Sequence, residues 1–175
     1  MDNTLPVLYL LILLILLSIT SIFIIRQITK TRKTESQLSK LKNKLTKEQG
    51  TVDEYYQLAS IYVEKKLYVQ AVELFQKALR LKDEENLEDF PKIYNALGFA
   101  YFAQDQYDIS IRQYKEALKI APNYVTAYNN LGHAYEKKKL TAQALEAYES
   151  ALKYDSKNDT AKRRAESMRK RLTPS

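Results

Sequence analysis

The chain has no cysteine and no tryptophan, and its 175 residues include only one histidine, three glycines and four prolines. Without cysteine there is no disulfide and no thiolate metal site. The single histidine, His133, cannot by itself form a histidine-rich metal site or a histidine pair. Gly50, Gly98 and Gly132 stand too far apart to make a glycine-rich phosphate loop. Few chain breakers beside much Leu, Ala, Lys, Glu and Gln point to helices throughout.

Charge is also missing over one long stretch, since Leu5 to Ile25 contains no charged residue. That run has 21 residues, and about 20 apolar residues at ~1.5 Å each cross a bilayer core of ~30 Å. Its polar members, Ser18, Thr20 and Ser21, can bond back to helix carbonyls, and Pro6 suits a first helical turn. Met1 to Thr4 carries Asp2 and no basic side chain, and no Ala-x-Ala pattern follows the run. A retained transmembrane helix over 5–25 is therefore expected, rather than a cleaved signal or a buried core helix. Arg26, Lys30, Arg32 and Lys33 follow directly, then Lys40, Lys42, Lys44 and Lys47, with no basic residue on the other flank. The positive-inside rule then places the rest of the chain in the cytoplasm, or in the stroma of a plastid.

The net charge of +7 divides into +5 for residues 1–50, −2 for 51–158 and +4 for 159–175. That distribution indicates membrane topology and a solvated end, not a nucleic-acid footprint across the domain. Residues 26–50 read as a basic helical stalk with Leu38, Leu41 and Leu45 on one stripe and Gly50 closing it. It could pair as a coiled coil or serve as a spacer whose apolar edge rests on the repeats. Two heptads are too few for a coiled coil, so a spacer is expected.

Self-comparison shows a repeat. Tyr94, Leu97, Gly98 and Tyr101 return 34 residues later as Tyr128, Leu131, Gly132 and Tyr135. Ser110, Tyr114 and Ala117 return at the same interval as Ala144, Tyr148 and Ala151. An earlier copy, Tyr55, Leu58, Ala59 and Tyr62 followed by Ala71, Phe75 and Ala78, lies 39 residues before the middle one, which leaves a five-residue insertion. This pattern resembles the tetratricopeptide repeat (TPR) family over about residues 52–158. Tyr stands where that family usually has Trp, Ala59 replaces a Gly, and the closing Pro survives only as Pro122, with Asp83 and Ser156 in the other copies.

The resemblance implies an all-α fold: three stacked TPR hairpins over 52–85, 91–124 and 125–158, and a capping helix over 159–172. Gly98 and Gly132 would let the two helices of a hairpin approach closely. Tyr94 and Tyr101, and likewise Tyr128 and Tyr135, would share a packing face with the intervening leucine at i, i+3, i+7. Each buried apolar side chain contributes ~1.5–3 kcal/mol. The capping helix is expected to start at Asp159 or Thr160, with Ala161, Ala165, Met168 and Leu172 as its apolar edge. The insertion, Asn86 to Phe90 after Asp83, Glu84 and Glu85, could be an acidic binding loop. A longer second helix with a solvated turn is expected instead, and Pro91 suits the first turn of the next helix.

In stacked TPR hairpins the first helices line a groove, so the resemblance implies a peptide or protein ligand there. The candidate stripe runs Tyr56, Ser60, Val63; Asn95, Phe99, Phe102; Asn129, His133, Glu136. Asparagine amides can hold an extended backbone as donor and acceptor, and two phenylalanines on an outer stripe call for a reason. One TPR subclass grips chaperone tails through cationic side chains on this surface. The corresponding positions here are Tyr56, Ser60, Ala96, Thr126 and Asn130, without a cation, so a heat-shock adaptor is not expected. His133 is read as a groove hydrogen-bonder rather than an acid–base group. Eight of the fourteen tyrosines fall on packing sites, so they are read as core rather than as a stacking surface for nucleic acid. No catalytic constellation stands out, and no metal, cofactor or small-molecule substrate is expected.

The whole layout, an N-terminal anchor, a basic stalk, three repeats and a short tail, is similar to that of the thylakoid photosystem I assembly proteins of algal plastids and cyanobacteria. An Arg- and Ser-rich transit peptide is lacking, as expected of a plastid-encoded product. The resemblance implies stroma-facing repeats that hold photosystem I subunits or assembly intermediates at the thylakoid membrane. A TPR adaptor for another membrane complex is the competing expectation.

Overall fold

The computed structural model describes residues 4–81 and 88–173. Among these every regular element is a helix, and the chain divides into two compact units, Met1–Glu48 and Gln49–Ser175.

The first unit is one helix, α1 (Thr4–Leu45). The apolar run and the basic stalk are therefore continuous, with no break where charge begins. The hydroxyls of Ser18 and Thr20 donate to the carbonyls of Leu14 and Leu17, at 2.8 and 2.9 Å, so these polar groups are satisfied within the helix. Mean hydropathy reaches 2.9 in its apolar part, and the helix is long and apolar enough to cross a membrane. It stops at Leu45 rather than at Gly50. There the Thr46 hydroxyl donates to the carbonyls of Lys42 and Asn43, both at 3.0 Å, capping the last turn before the glycine is reached.

Among the described residues the second unit has seven α-helices: α2 (Val52–Glu64), α3 (Tyr68–Arg80), α4 (Phe90–Phe102), α5 (Tyr107–Ile120), α6 (Val125–Lys137), α7 (Thr141–Tyr154) and α8 (Asp159–Leu172). They pack in sequence as three hairpins, α2–α3, α4–α5 and α6–α7, with α8 against α7. Thr51 and Glu54 form a reciprocal capping box at the start of α2, with N···O distances of 3.2 and 3.1 Å, the kind of cap worth about 1 kcal/mol. Pro91 sits in the first turn of α4, where a missing N–H leaves nothing unbonded. At α8 the N-cap is Asn158, whose Oδ1 accepts from the Ala161 amide at 2.9 Å. α3 ends at Arg80 and is no longer than α2, so the expected lengthening of that helix is not seen. The acidic residues Asp83, Glu84 and Glu85, with Asn86, lie outside the described residues.

Each hairpin turns the same way. Lys66, Asp105 and Lys139 adopt φ of 60°, 58° and 60°. The next residue in each case donates back to the helix, Leu67 to Tyr62, Gln106 to Tyr101 and Leu140 to Tyr135, at 2.8–3.0 Å. These are three Schellman caps made without glycine, each placing an ordinary side chain in the left-handed region.

The core repeats with the sequence. Ile93, Leu97 and Ala100 of α4 are matched by Ala127, Leu131 and Ala134 of α6, all at most 6% exposed. A Cβ on Gly98 would lie 2.6 Å from Cε1 of Tyr114, and one on Gly132 would lie 2.7 Å from Cε1 of Tyr148. The two glycines thus occupy equivalent corners, each pressed against the tyrosine of its own hairpin. In the first hairpin the equivalent pair is Ala59 and Phe75, both fully buried in one cluster. Tyr94, Tyr101, Tyr128 and Tyr135 are half-buried at hairpin seams. Tyr101 accepts from Gln76 of the preceding hairpin at 3.0 Å, and Tyr128 stacks on Tyr154 with ring centroids 5.9 Å apart. In α8, Ala161, Ala165 and Met168 are buried, but Leu172 is 45% exposed at the helix end and adds nothing to the edge expected of it.

Candidate peptide groove

The first helices meet directly across repeats, α2 with α4 and α4 with α6, so residues on their shared face form a continuous surface. A cleft of ≈ 310 Å³ opens there, lined by Ser60, Val63, Asn95, Ala96, Phe99 and Asn130 among others. One wall is apolar. Phe99 is 41% exposed and is fixed edge-on against Tyr68, with ring centroids 6.4 Å apart. The Ser60 hydroxyl donates to the carbonyl of Tyr56 at 2.8 Å, leaving its oxygen as an acceptor. A polar bridge crosses between repeats, where Nδ2 of Asn130 donates to Oδ1 of Asn95 at 2.9 Å. The Tyr124 phenol also bonds the Asn95 side chain, and burial pushes that phenol above its ordinary pKa.

Tyr56 lies just beyond this cleft. Its ring is 5.9 Å from that of Phe75, and it lines a second hollow of ≈ 100 Å³ with Asp53, Asp89, Lys92 and Ile93. Further along, Phe102 packs between Tyr107 and His133, at centroid distances of 5.3 and 4.7 Å. His133 is held below its ordinary pKa, first by burial and then by the Arg164 guanidinium, against a smaller opposing pull from Glu136. It is therefore a neutral imidazole at neutral pH, able to donate one hydrogen bond and accept another.

The end of the stripe is closed on itself. Glu136 accepts from the Tyr148 hydroxyl at 2.6 Å and from Arg164 at 3.3 Å, and its side chain is only 9% exposed. Burial and this carboxylate push the Tyr148 phenol far up. Asn129 places its Oδ1 where it is buried without a hydrogen-bond partner.

Three models of the tetratricopeptide repeat match the chain, at residues 55–85, 100–139 and 125–158. The ycf37 protein of Cyanophora paradoxa is 39% identical over 164 residues, which is 94% of this chain and 95% of that protein. The chain belongs to the ycf37 family. The chloroplastic tetratricopeptide repeat domain-containing protein PYG7 of Arabidopsis thaliana is 35% identical over 133 residues, 76% of this chain and 44% of that longer protein. The crystal structure of MamA shares the fold, with a TM-score of 0.73 at 22% identity over 82% of each chain. In this ycf37-family chain the repeats form a protein-interaction scaffold, the use to which stacked helical hairpins put their inner surface.

Within that scaffold Ser60, Val63, Asn95 and Phe99 share one cleft, while Tyr56, Phe102 with His133, and Asn129 occupy separate stations along the same face. Sequence reasoning put Asn130 among the positions that correspond to a chaperone-tail clamp, but not among the candidate groove residues. The signal was available, since Asn130 follows Asn95 by 35 residues, one more than the repeat, which brings consecutive first helices into side-chain contact. Tyr124 gave no comparable signal, because it stands just before α6 and outside the helical pattern.

Proposed function

We propose that this chain is a membrane-anchored TPR scaffold that assists assembly of photosystem I at the thylakoid membrane, with its repeats in the stroma or the cyanobacterial cytoplasm. The observation that carries this reading is the near full-length match to ycf37, in a chain whose layout resembles the photosystem I assembly family. The similarity to the chloroplastic PYG7 supports a photosynthetic setting. The apolar part of α1 supplies the anchor, and the lysines and arginines after Ile25 set its orientation.

The groove is the partner site in this reading. Phe99 and Val63 offer apolar area to one side chain of a bound segment. Asn130, Ser60 and neutral His133 offer hydrogen bonds to its backbone. Deleting the gene in a phototroph is expected to lower photosystem I while sparing photosystem II. Normal photosystem I in the deletion strain, under stress as well as in standard growth, would favour a TPR adaptor for a different membrane complex.

A further inference from the structure

The last helix is more than a lid. Its buried residues, Ala161, Ala165 and Met168, each lie 34 positions after a buried residue of α6, namely Ala127, Leu131 and Ala134. α8 therefore stands in the register of a fourth first helix. The face that would receive a second helix has been made charged. Lys162 stands where Tyr94 and Tyr128 stand, Glu166 where Gly98 and Gly132 stand, and Arg169 where Tyr101 and Tyr135 stand. Lys162 and Glu166 are exposed there, and Arg169 pairs with Glu149 of α7 at 2.7 Å.

The groove stripe continues in the same register. Asn95, Phe99 and Phe102 are followed by Asn129, His133 and Glu136, and then by Arg163, Ser167 and Lys170. Arg164 takes the position of Asn130, and Arg171 that of Lys137. The ion pair from Arg164 to Glu136, at 3.3 Å, confirms that this side of α8 reaches the groove end of α6. His133 is lowered chiefly by burial and next by Arg164, a secondary contribution consistent with that proximity. Arg163, Lys170 and Arg171 are exposed and have no ion-pair partner among the described residues. The junction also holds a polar group that is not closed internally. Asn130 bonds Asn95, but Arg164, its counterpart, turns to Glu136 and leaves Oδ1 of Asn129 buried and unpartnered. Residues 51–158 carry a net charge of −2, against +4 for residues 159–175, so within the second unit the net positive charge lies at this end.

We infer that α8 forms the cationic end wall of the groove, and that the ligand is an acidic extended protein segment. An apolar side chain of that segment enters the Phe99 cleft, and its carboxylates lie over Arg163, Lys170 and Arg171. The inference rests on the groove being the partner site. It adds to that reading the charge of the partner and the polarity with which it lies, and it places the cations on a helix beyond the three repeats.

The test is selection of a random dodecapeptide library on the full chain in detergent micelles, followed by fluorescence anisotropy on the selected peptides. Selected peptides are expected to combine Asp or Glu with an aromatic or aliphatic residue. Changing their acids to amides should weaken binding about tenfold or more at low salt, and less at high salt. The variant Arg163→Gln/Lys170→Gln/Arg171→Gln changes only exposed side chains. It should bind the acidic peptide no better than the amide form and should lose acid enrichment when selected afresh. Phe99→Ser should weaken acidic and amide peptides alike. Selection of neutral peptides that depend on Phe99 but not on α8 would overturn the acidic assignment and leave the groove reading intact. Acidic peptides indifferent to Phe99→Ser would overturn the groove reading itself. Selection that yields no binding peptide, or α8-dependent binding to phosphatidylglycerol vesicles with no peptide preference, would also overturn the inference.

Discussion

The glycine–tyrosine corner makes a sharp quantitative test of how the repeats are built. Gly98→Ala adds one Cβ, which would fall 2.6 Å from Tyr114 Cε1 and 2.7 Å from its Cδ1. The ring cannot simply move away, because Tyr114 is 1% exposed and lies in a packed cluster. Overpacking of this kind costs about 1–3 kcal/mol. Alanine is also a better helix former than glycine by about 1 kcal/mol, so the single substitution is expected to be neutral to moderately destabilising. Tyr114→Leu alone should cost about 2–3 kcal/mol through lost packing, yet it removes the obstacle. In that background Gly98→Ala should stabilise by about 1 kcal/mol, the helix-propensity gain alone. The coupling between the two sites is then the overlap itself, about 1–3 kcal/mol. Urea titration of the full chain in detergent, followed by tyrosine near-UV circular dichroism, would measure it. With a slope of about 1–3 kcal/mol per M, a 2 kcal/mol change moves the midpoint by about 1 M. Equal effects of Gly98→Ala in both backgrounds would refute close approach as the reason for the glycine.

Other expectations follow from single positions. Lys139 holds a left-handed conformation at φ 60°, so Lys139→Gly should raise stability by about 0.5–1 kcal/mol, seen as a higher urea midpoint. Glu136→Ala should cost about 1–3 kcal/mol by stripping the buried Tyr148 hydroxyl of its acceptor, and it should bring the Tyr148 phenol back toward its ordinary titration range in a spectrophotometric pH scan. His133 has a folded pKa below its unfolded value. The unfolded chain therefore binds the proton first, and stability falls as pH drops below about 6.5. His133→Gln should flatten the pH dependence of the urea midpoint between pH 7 and 5, and an unchanged slope would count against the burial that holds it neutral.

The hairpins were legible in the sequence because packing there is strictly periodic. A small residue at 98 and 132 and a ring 16 residues later at 114 and 148 admit one arrangement of paired helices. The long apolar run was legible for a simpler reason, its length and lack of charge. The stop of α1 at Leu45 was less so, because the Thr46 hydroxyl capping backward competes with the signal of Gly50 four residues on. The groove was legible as a stripe but not as a network. The wheel could place Asn95 and Glu136 on one face, yet it could not show that Asn95 bonds Asn130 of the next repeat. Nor could it show that Glu136 is engaged by Tyr148 and Arg164 from two other helices. Those contacts depend on how successive first helices lie side by side. The part played by α8 was hidden because the motif that marks a repeat, Tyr-x2-Leu-Gly-x2-Tyr, is replaced there by Lys162, Ala165, Glu166 and Arg169. Only its other buried face keeps the period.

The central claim is that the inner face of the repeats holds a photosystem I polypeptide at the membrane. Site-specific photocrosslinking in intact thylakoids tests it directly, with a benzophenone side chain replacing Phe99 in the groove or Arg112, which is exposed on the second helix α5. The account expects a photosystem I subunit to be captured from position 99 and not from position 112. Capture from position 112 alone, or adducts at 99 that contain only unrelated membrane proteins, would contradict it.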